Sequence, residues 1–198
     1  MFFEVIFDLE TKRFFDETGT NDPADLGVSI VSLYSRSLDE SFVETEGRMA
    51  SFFEKDFGKM WEIFAKANRV VGFNSLHFDV PALRPYAPLN FARLAHFDLL
   101  AVIKEKLGFR VGLNKIAMET LGVQKTDHGS EAIDFWQKGD LGSLERYCES
   151  DVAITRDIYD FGRKNKFIKF RNKWNEVQTV DVDFSYSLAS QSVQKGLF

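Results

Sequence analysis

With 198 residues, 44% of them hydrophobic, the chain is long enough for one domain with a sizeable core, and no apolar run approaches the roughly 20 residues of a membrane span. Asp and Glu number 30 against 25 Lys and Arg, and the resulting net charge of -5 argues against a general nucleic-acid coat. Cys148 is the only cysteine, which excludes an intramolecular disulfide, and with no signal-peptide pattern at the N-terminus an intracellular, cytoplasmic setting is expected.

The apolar run from Phe2 reads as a buried strand to about Leu9, closed by Asp8 and Glu10. A turn-rich stretch with Gly19, Asn21, Asp22 and Pro23 follows. Gly27–Ser35 predicts a second strand and Ser41–Thr45 a short third one, and the short connections predict an antiparallel meander. From Arg48 to Ala67, Met49, Phe52, Phe53, Phe57, Met60, Trp61 and Phe64 recur at helical intervals and predict a helix. Arg69–Phe73 predicts the fourth strand, and a helical or looped segment begins near Asp79, its first turn limited by Pro81. A short fifth strand near His96 runs into a helix ending by Gly108. Further helices are expected over Leu113–Leu121, from near Ser130, and over Leu141–Phe161. Phe167–Arg171 and Val177–Phe184 predict a C-terminal β-hairpin, and Ser185–Phe198 reads as a flexible tail. The expected fold is α/β: a mixed five-stranded sheet flanked by helices, in one domain over 1–184, with a motif-bearing core over 1–162 and an added hairpin over about 163–184.

Chemistry concentrates in three places. Positions two apart on a strand project to one side, so Asp8 and Glu10 leave the end of the first strand together. Tyr147 and Asp151, four apart on a helix, share a face. Asp79 follows the fourth strand in Asn74-Ser75-Leu76-His77-Phe78-Asp79. Clustered carboxylates repel one another unless protons or cations intervene, and an oxygen-only set suits magnesium or manganese better than zinc. Each residue alone has an ordinary reading: a solvated strand end for Asp8 and Glu10, a helix cap for Asp79, an ion pair with Arg146 or Arg156 for Asp151, a half-buried aromatic for Tyr147. Asp98 is read as a capping or solvated acid, and Glu149 faces away from Tyr147 and Asp151.

Taken in order, Asp8-Leu9-Glu10, Asn74 through Phe78-Asp79, and Tyr147-Cys148-Glu149-Ser150-Asp151 resemble the three motifs of the DEDD (DnaQ-like) superfamily of 3′–5′ exonucleases. The tyrosine of the third motif places the resemblance in the DEDDy subgroup. The resemblance implies a ribonuclease-H-like fold and hydrolysis of phosphodiester bonds at single-stranded or frayed nucleic-acid 3′ ends, with release of nucleoside monophosphates. It implies that Asp8, Glu10, Asp79 and Asp151 hold two Mg2+ or Mn2+ ions, and that Tyr147 orients or helps deprotonate the attacking water. Thr11 is assigned to the terminal nucleotide, and Asn74 to substrate or to the loop that carries Asp79.

DNA is favoured slightly over RNA, since no residue that would read a 2′-hydroxyl can be located. Two alternatives stay open: an exoribonuclease, and a catalytically silent nucleic-acid-binding or partner-docking module on the same fold. A polymerase or helicase partner is compatible with the chain, which carries no such motif itself. Near the C-terminus, Arg163, Lys164, Lys166, Lys169, Arg171 and Lys173 interleave with Phe167, Phe170 and Trp174. This segment reads either as a phosphate-tracking, base-stacking surface or as a solvated helix end with an ordinary hairpin.

Overall fold

The alternating side chains of β1 (Phe2–Thr11) organise a computed structural model that describes residues 1–123 and 131–186. β1 lies at the centre of a five-stranded sheet ordered β3-β2-β1-β4-β5. It pairs antiparallel with β2 (Val28–Leu38), which pairs antiparallel with β3 (Glu44–Phe53). On its other edge it pairs in parallel with β4 (Arg69–Gly72), which pairs in parallel with β5 (His96–Asp98). This is the expected mixed α/β sheet.

One face of the sheet packs against α6 (Leu141–Asn165) and the other against α1 (Phe57–Phe64) and α2 (Asp79–Leu83). Val5, Phe7 and Leu9 are buried with Phe57, Met60 and Phe64 on the α1 side, where the Phe7 and Phe64 rings meet edge to face at 5.3 Å. The even-numbered residues of β1 face α6 in successive rows set by the strand register. Glu4 lies level with Arg36, Ile6 with Tyr34 and Met49, Asp8 with Ser32 and Ser51, and Glu10 with Ile30 and Phe53.

The third strand is longer and later than Ser41–Thr45, and the helix expected over Arg48–Ala67 is cut to α1. Residues 48–53 pair with β2 instead, and a 3-10 turn at Glu54–Asp56 separates strand from helix. Met49 and Phe53 face α6 while Phe52 packs on the opposite side of the sheet, a two-residue alternation that also passes for part of a helical stripe. Pairing along the full edge of β2 outweighs local periodicity here. From Phe57 onward the helical spacing holds, with Phe57, Met60 and Phe64 buried.

The remaining helices are α3 (Leu99–Leu107), α4 (Leu113–Leu121) and α5 (Glu131–Lys138). The expected hairpin is present as β6 (Phe167–Arg171) and β7 (Val177–Asp181). Thr120 completes its outer edge by exchanging hydrogen bonds with both backbone groups of Lys169, at 2.8 and 2.9 Å. The basic-aromatic segment is largely absorbed into structure. Phe170 is buried, Arg171 pairs with Glu119 at 2.7 Å, and Lys166 pairs with Asp183 at 3.5 Å. Trp174 is the exposed aromatic of that segment. Ser185 and Tyr186 continue against the core, and 187–198 of the expected tail lie outside the described residues.

At the far end of the α6 face, Glu4 is fully buried and accepts hydrogen bonds from Arg36 Nε at 2.8 Å, Tyr159 OH at 2.8 Å and Tyr186 OH at 2.5 Å. Arg36 also donates to both carboxylate oxygens of Asp160 at 2.7 Å. Arg69 donates to Tyr159 OH at 2.9 Å and to the carbonyls of Phe184 and Ser185 at 3.2 Å, which ties the end of the described chain to the sheet. Gly162 of α6 leaves room for the Phe184 ring, where a Cβ would collide. Burying a carboxylate is costly unless its partners stay in place. Arg36→Ala should therefore lower stability by about 3–5 kcal/mol in urea unfolding; a loss below about 1 kcal/mol would show that Glu4 does not depend on this cation.

Candidate active site

The second half of β1 brings the first and third motifs together. Beyond Ile6, β1 has no further pairing with β4, which ends at Gly72, while its pairing with β2 continues to Thr11 with a register shift between Glu10 and Thr11. Asp8 and Glu10 therefore project toward the N-terminal half of α6 from a strand supported on one edge only. α6 is capped by Asp140, whose carboxylate accepts the Ser143 amide at 3.1 Å and fixes the helix start. One turn further on, Tyr147 and Cys148 are buried among Ile30 and Leu144, and the Tyr147 ring meets Phe135 of α5 edge-on at 6.4 Å. Ligand atoms of Asp8, Glu10 and Cys148 all lie within 4.8 Å of one another.

Cys148 was legible as part of the third motif but not as a neighbour of the first. Its Sγ donates to the Asp8 carbonyl at 3.5 Å. Burial, and then the charges of Asp8 and Glu10, push its thiol well above the ordinary range, so it stays protonated and adds no charge to the cluster. In the same row, Ser32 Oγ and Ser51 Oγ share a hydrogen bond of 2.8 Å, and Ser51 Oγ donates to Glu149 at 2.9 Å. Glu149 is thus turned toward β3 and away from the Tyr147 side. Asp151 follows Tyr147 by one helical turn and is half-buried; it does not belong to the cluster of Asp8, Glu10 and Cys148.

Asp79 arrives from β4. Gly72 ends the strand where a Cβ would strike the Ser75 side chain, so the chain can fold back tightly. Asn74 follows in the left-handed region (φ 65°), and its carbonyl accepts the amides of His77 and Phe78 at 3.1 Å. Asp98 locks this loop. It is buried at the start of α3, accepts the Leu100 and Ala101 amides as a helix cap, and also accepts the Asn74 amide at 2.8 Å and the Leu76 amide at 3.1 Å. Its cap role was readable in the sequence, but its grip on a loop more than 20 residues away leaves no local signal.

Asp79 itself is the first residue of α2, with Phe78 rather than Asp79 in the cap position, and is only 3% exposed. Burial raises its carboxyl to about 7; its own amide pulls the other way, Asp98 adds to the rise, and the Leu9 backbone bond lowers it. The influence of the Leu9 backbone places Asp79 near the segment between Asp8 and Glu10. Thr11 is buried, and its hydroxyl donates to the Arg13 carbonyl at 3.2 Å. The Asn74 side-chain oxygen accepts from Arg110 at 2.6 Å, at the rim of the loop.

Residues 5–161 match the family model RNase_H_2, described as the RNase_H superfamily. The chain belongs to that superfamily. Its fold agrees with that of a family B DNA polymerase from the hyperthermophilic archaeon Pyrobaculum calidifontis, with a TM-score of 0.58 and 20% sequence identity. The match covers 82% of this chain and 24% of the polymerase chain. No curated protein matches the sequence. The RNase_H superfamily fold accounts for the sheet order and for the placement of α6 across β1, which together define the acidic end of the molecule. Among the described residues no helix is long and apolar enough to cross a membrane.

Among the described residues the two acids of the cluster, Asp8 and Glu10, suit a divalent cation and the neighbouring thiol contributes no charge; Asp79 lies outside that cluster, in a buried position where ionisation is disfavoured. The Asp79 shift gives a signed expectation. A carboxyl whose folded pKa is raised from 3.8 to about 7 contributes stability below the unfolded value, and that contribution is lost as pH rises through 7. In chelator-treated protein, Asp79→Asn should gain on the wild type by a few kcal/mol between about pH 4 and about pH 8, measured by urea unfolding. A stability difference that does not change with pH would contradict the buried, protonated carboxyl.

Proposed function

We propose that this protein is a divalent-metal-dependent 3′–5′ exonuclease of the DEDDy kind, acting on single-stranded or frayed 3′ ends and releasing nucleoside monophosphates. The observation that carries this reading is the meeting of Asp8 and Glu10 with Cys148, the residue after Tyr147 on α6, while Asp79 lies near the Leu9 backbone between the two acids. Asp8 and Cys148, 140 positions apart in the chain, meet there, which supports the reading. DNA is taken as the first substrate because the matched structure belongs to a DNA polymerase. The same likeness makes a polymerase a plausible working partner, acting from a separate chain or domain.

Asp8, Glu10, Asp79 and Asp151 would hold two Mg2+ or Mn2+ ions. When bound, such ions neutralise clustered carboxylates and stabilise charge on the attacking and leaving oxygens of an in-line displacement. Tyr147 is fixed by packing against Phe135 and Ile30, so its hydroxyl presents a defined hydrogen-bond position to the attacking water. Orientation of that water is the role assigned to it. Asn74 and the Asp98-locked loop hold Asp79 in register with β1, and the backbone at Thr11 is assigned to the terminal nucleotide. The protonated Cys148 thiol anchors α6 to the Asp8 carbonyl and takes no proton in the reaction.

The test is the shortening of 5′-labelled single-stranded DNA and RNA with Mg2+, with Mn2+ and with chelator. A metal-dependent ladder growing from the 3′ end is expected, stronger on DNA. Asp8→Ala should lower the rate by more than about 100-fold, since even partners of metal ligands commonly cost 10–100-fold. Tyr147→Phe should lower kcat by about 100-fold with little change in the metal concentration required. A wild-type protein that binds strands and metal but releases no nucleotide would select the silent binding module instead. An Asp8→Ala protein with the native rate would overturn the site.

A further inference from the structure

An acidic site that takes a polyanion needs a cation at its rim, and several cations of the chain are already engaged in ion pairs. Lys12, just after Thr11, pairs with Glu54 at 2.6 Å. Arg84 pairs with Asp22 at 2.5 Å, and Arg163 at the far end of α6 faces Glu4 and Asp160 at 3.9 Å. Arg110 differs. It is exposed, and the contact it makes among the described residues is to a neutral group, the side-chain oxygen of Asn74, at 2.6 Å. A guanidinium has five N–H donors, so this contact fixes its direction without consuming its charge or its fork.

The segment that presents Arg110 is built to hold it. Gly108 ends α3 in the left-handed conformation (φ 77°), Val111 is buried in the main core, and Phe109 lies between them, 51% exposed. One edge of the Phe109 ring packs on Phe170 of β6, with centroids 6.1 Å apart. A half-exposed aromatic next to an arginine that retains its charge, bonded to the loop leading to Asp79, suits a nucleic-acid strand: the fork meets phosphate oxygens and the ring meets a base.

We propose that Arg110, oriented by Asn74, binds a backbone phosphate just upstream of the terminal nucleotide, and that Phe109 stacks on a base of the same strand. This rests on the reading of the acidic cluster as the place where a strand end is held. It adds two substrate-binding residues that lie outside all three sequence motifs and assigns Asn74 a second task, orienting a cation as well as shaping the Asp79 loop.

Binding of a labelled 12-nucleotide DNA strand, followed by fluorescence anisotropy with chelator present so that nothing is cleaved, tests this directly. Over about 50–200 mM salt, Arg110→Ala should weaken binding about five- to tenfold and reduce the slope of log affinity against log salt by about 0.7, the value for one phosphate contact on a single strand. Arg110→Lys should restore the slope but not the full affinity, because a point charge replaces a fork. Phe109→Ala should weaken binding about tenfold with the slope unchanged. Unchanged affinity and slope in Arg110→Ala, or a wild-type protein that does not bind the strand, would overturn the proposal. Hydrolysis of the p-nitrophenyl ester of thymidine 5′-phosphate by the wild type, with Mn2+, tests the exonuclease reading separately, because that substrate has no upstream nucleotide. Binding without ester hydrolysis would leave Arg110 and Phe109 as strand contacts and remove the catalytic reading.

Discussion

The two-residue repeat of β1 under a single long helix is the constraint on which the rest depends. Glu4, Ile6, Asp8 and Glu10 point to the same face because a strand alternates, and α6 crosses that whole line. Two kinds of acid result from one geometry. Glu4 is enclosed by a guanidinium and two phenols that donate to its carboxylate inside the fold. Asp8 and Glu10, four and six residues further on, gather with a thiol held in its neutral form. The same pair of elements therefore carries a compensated carboxylate at one end and a set of carboxylates suited to an added cation at the other.

Those ends are coupled through packing. The Glu4 network fixes the C-terminal half of α6 through Tyr159 and Asp160, and the Cys148 thiol fixes the N-terminal half at the Asp8 carbonyl. Between them Ile6 and Val71 pack with Val152 and Ile158 in the main core. Rotation or sliding of α6 would disturb both anchors at once, so the position of Tyr147 and Asp151 relative to β1 is set by the whole interface. Such rigidity is what a site needs when its chemistry depends on the placement of several carboxylates.

What was legible in the sequence followed from local periodicity. Asp8 and Glu10 are two apart on a strand, Tyr147 and Asp151 four apart on a helix, and both spacings survive folding unchanged. The mixed sheet was legible too, because its strands are short apolar runs bounded by turns. The third strand was not: Met49, Phe52 and Phe53 satisfy helical and strand spacing alike, and only the edge of β2 decides between them. Contacts between distant segments left still less trace. Asp98 looks like any helix cap until Asn74 and Leu76 turn their amides toward it, and Tyr186 looks like part of a polar tail until its hydroxyl reaches Glu4.

The site also sits where the sheet comes apart, and this explains its chemistry as well as its position. β1 and β4 pair over only three residues, and past Ile6 and Val71 the edge of β1 is met by a loop rather than a strand. The Asp79 carboxyl lies close enough to the Leu9 backbone there for it to favour the ionised form. The carboxyl nonetheless sits in a buried position that raises its pKa to about 7, close to another buried acid, Asp98. Asp98 is satisfied by four amides, whereas burial and the nearby Asp98 disfavour the charge of Asp79. The split in the sheet thus does two things at once: it leaves an edge of β1 for Asp79 to approach and keeps that acid in a position of high energy when ionised. Local instability of this kind is tolerated because the Glu4 network and the main core hold β1 and α6 in place at the other end.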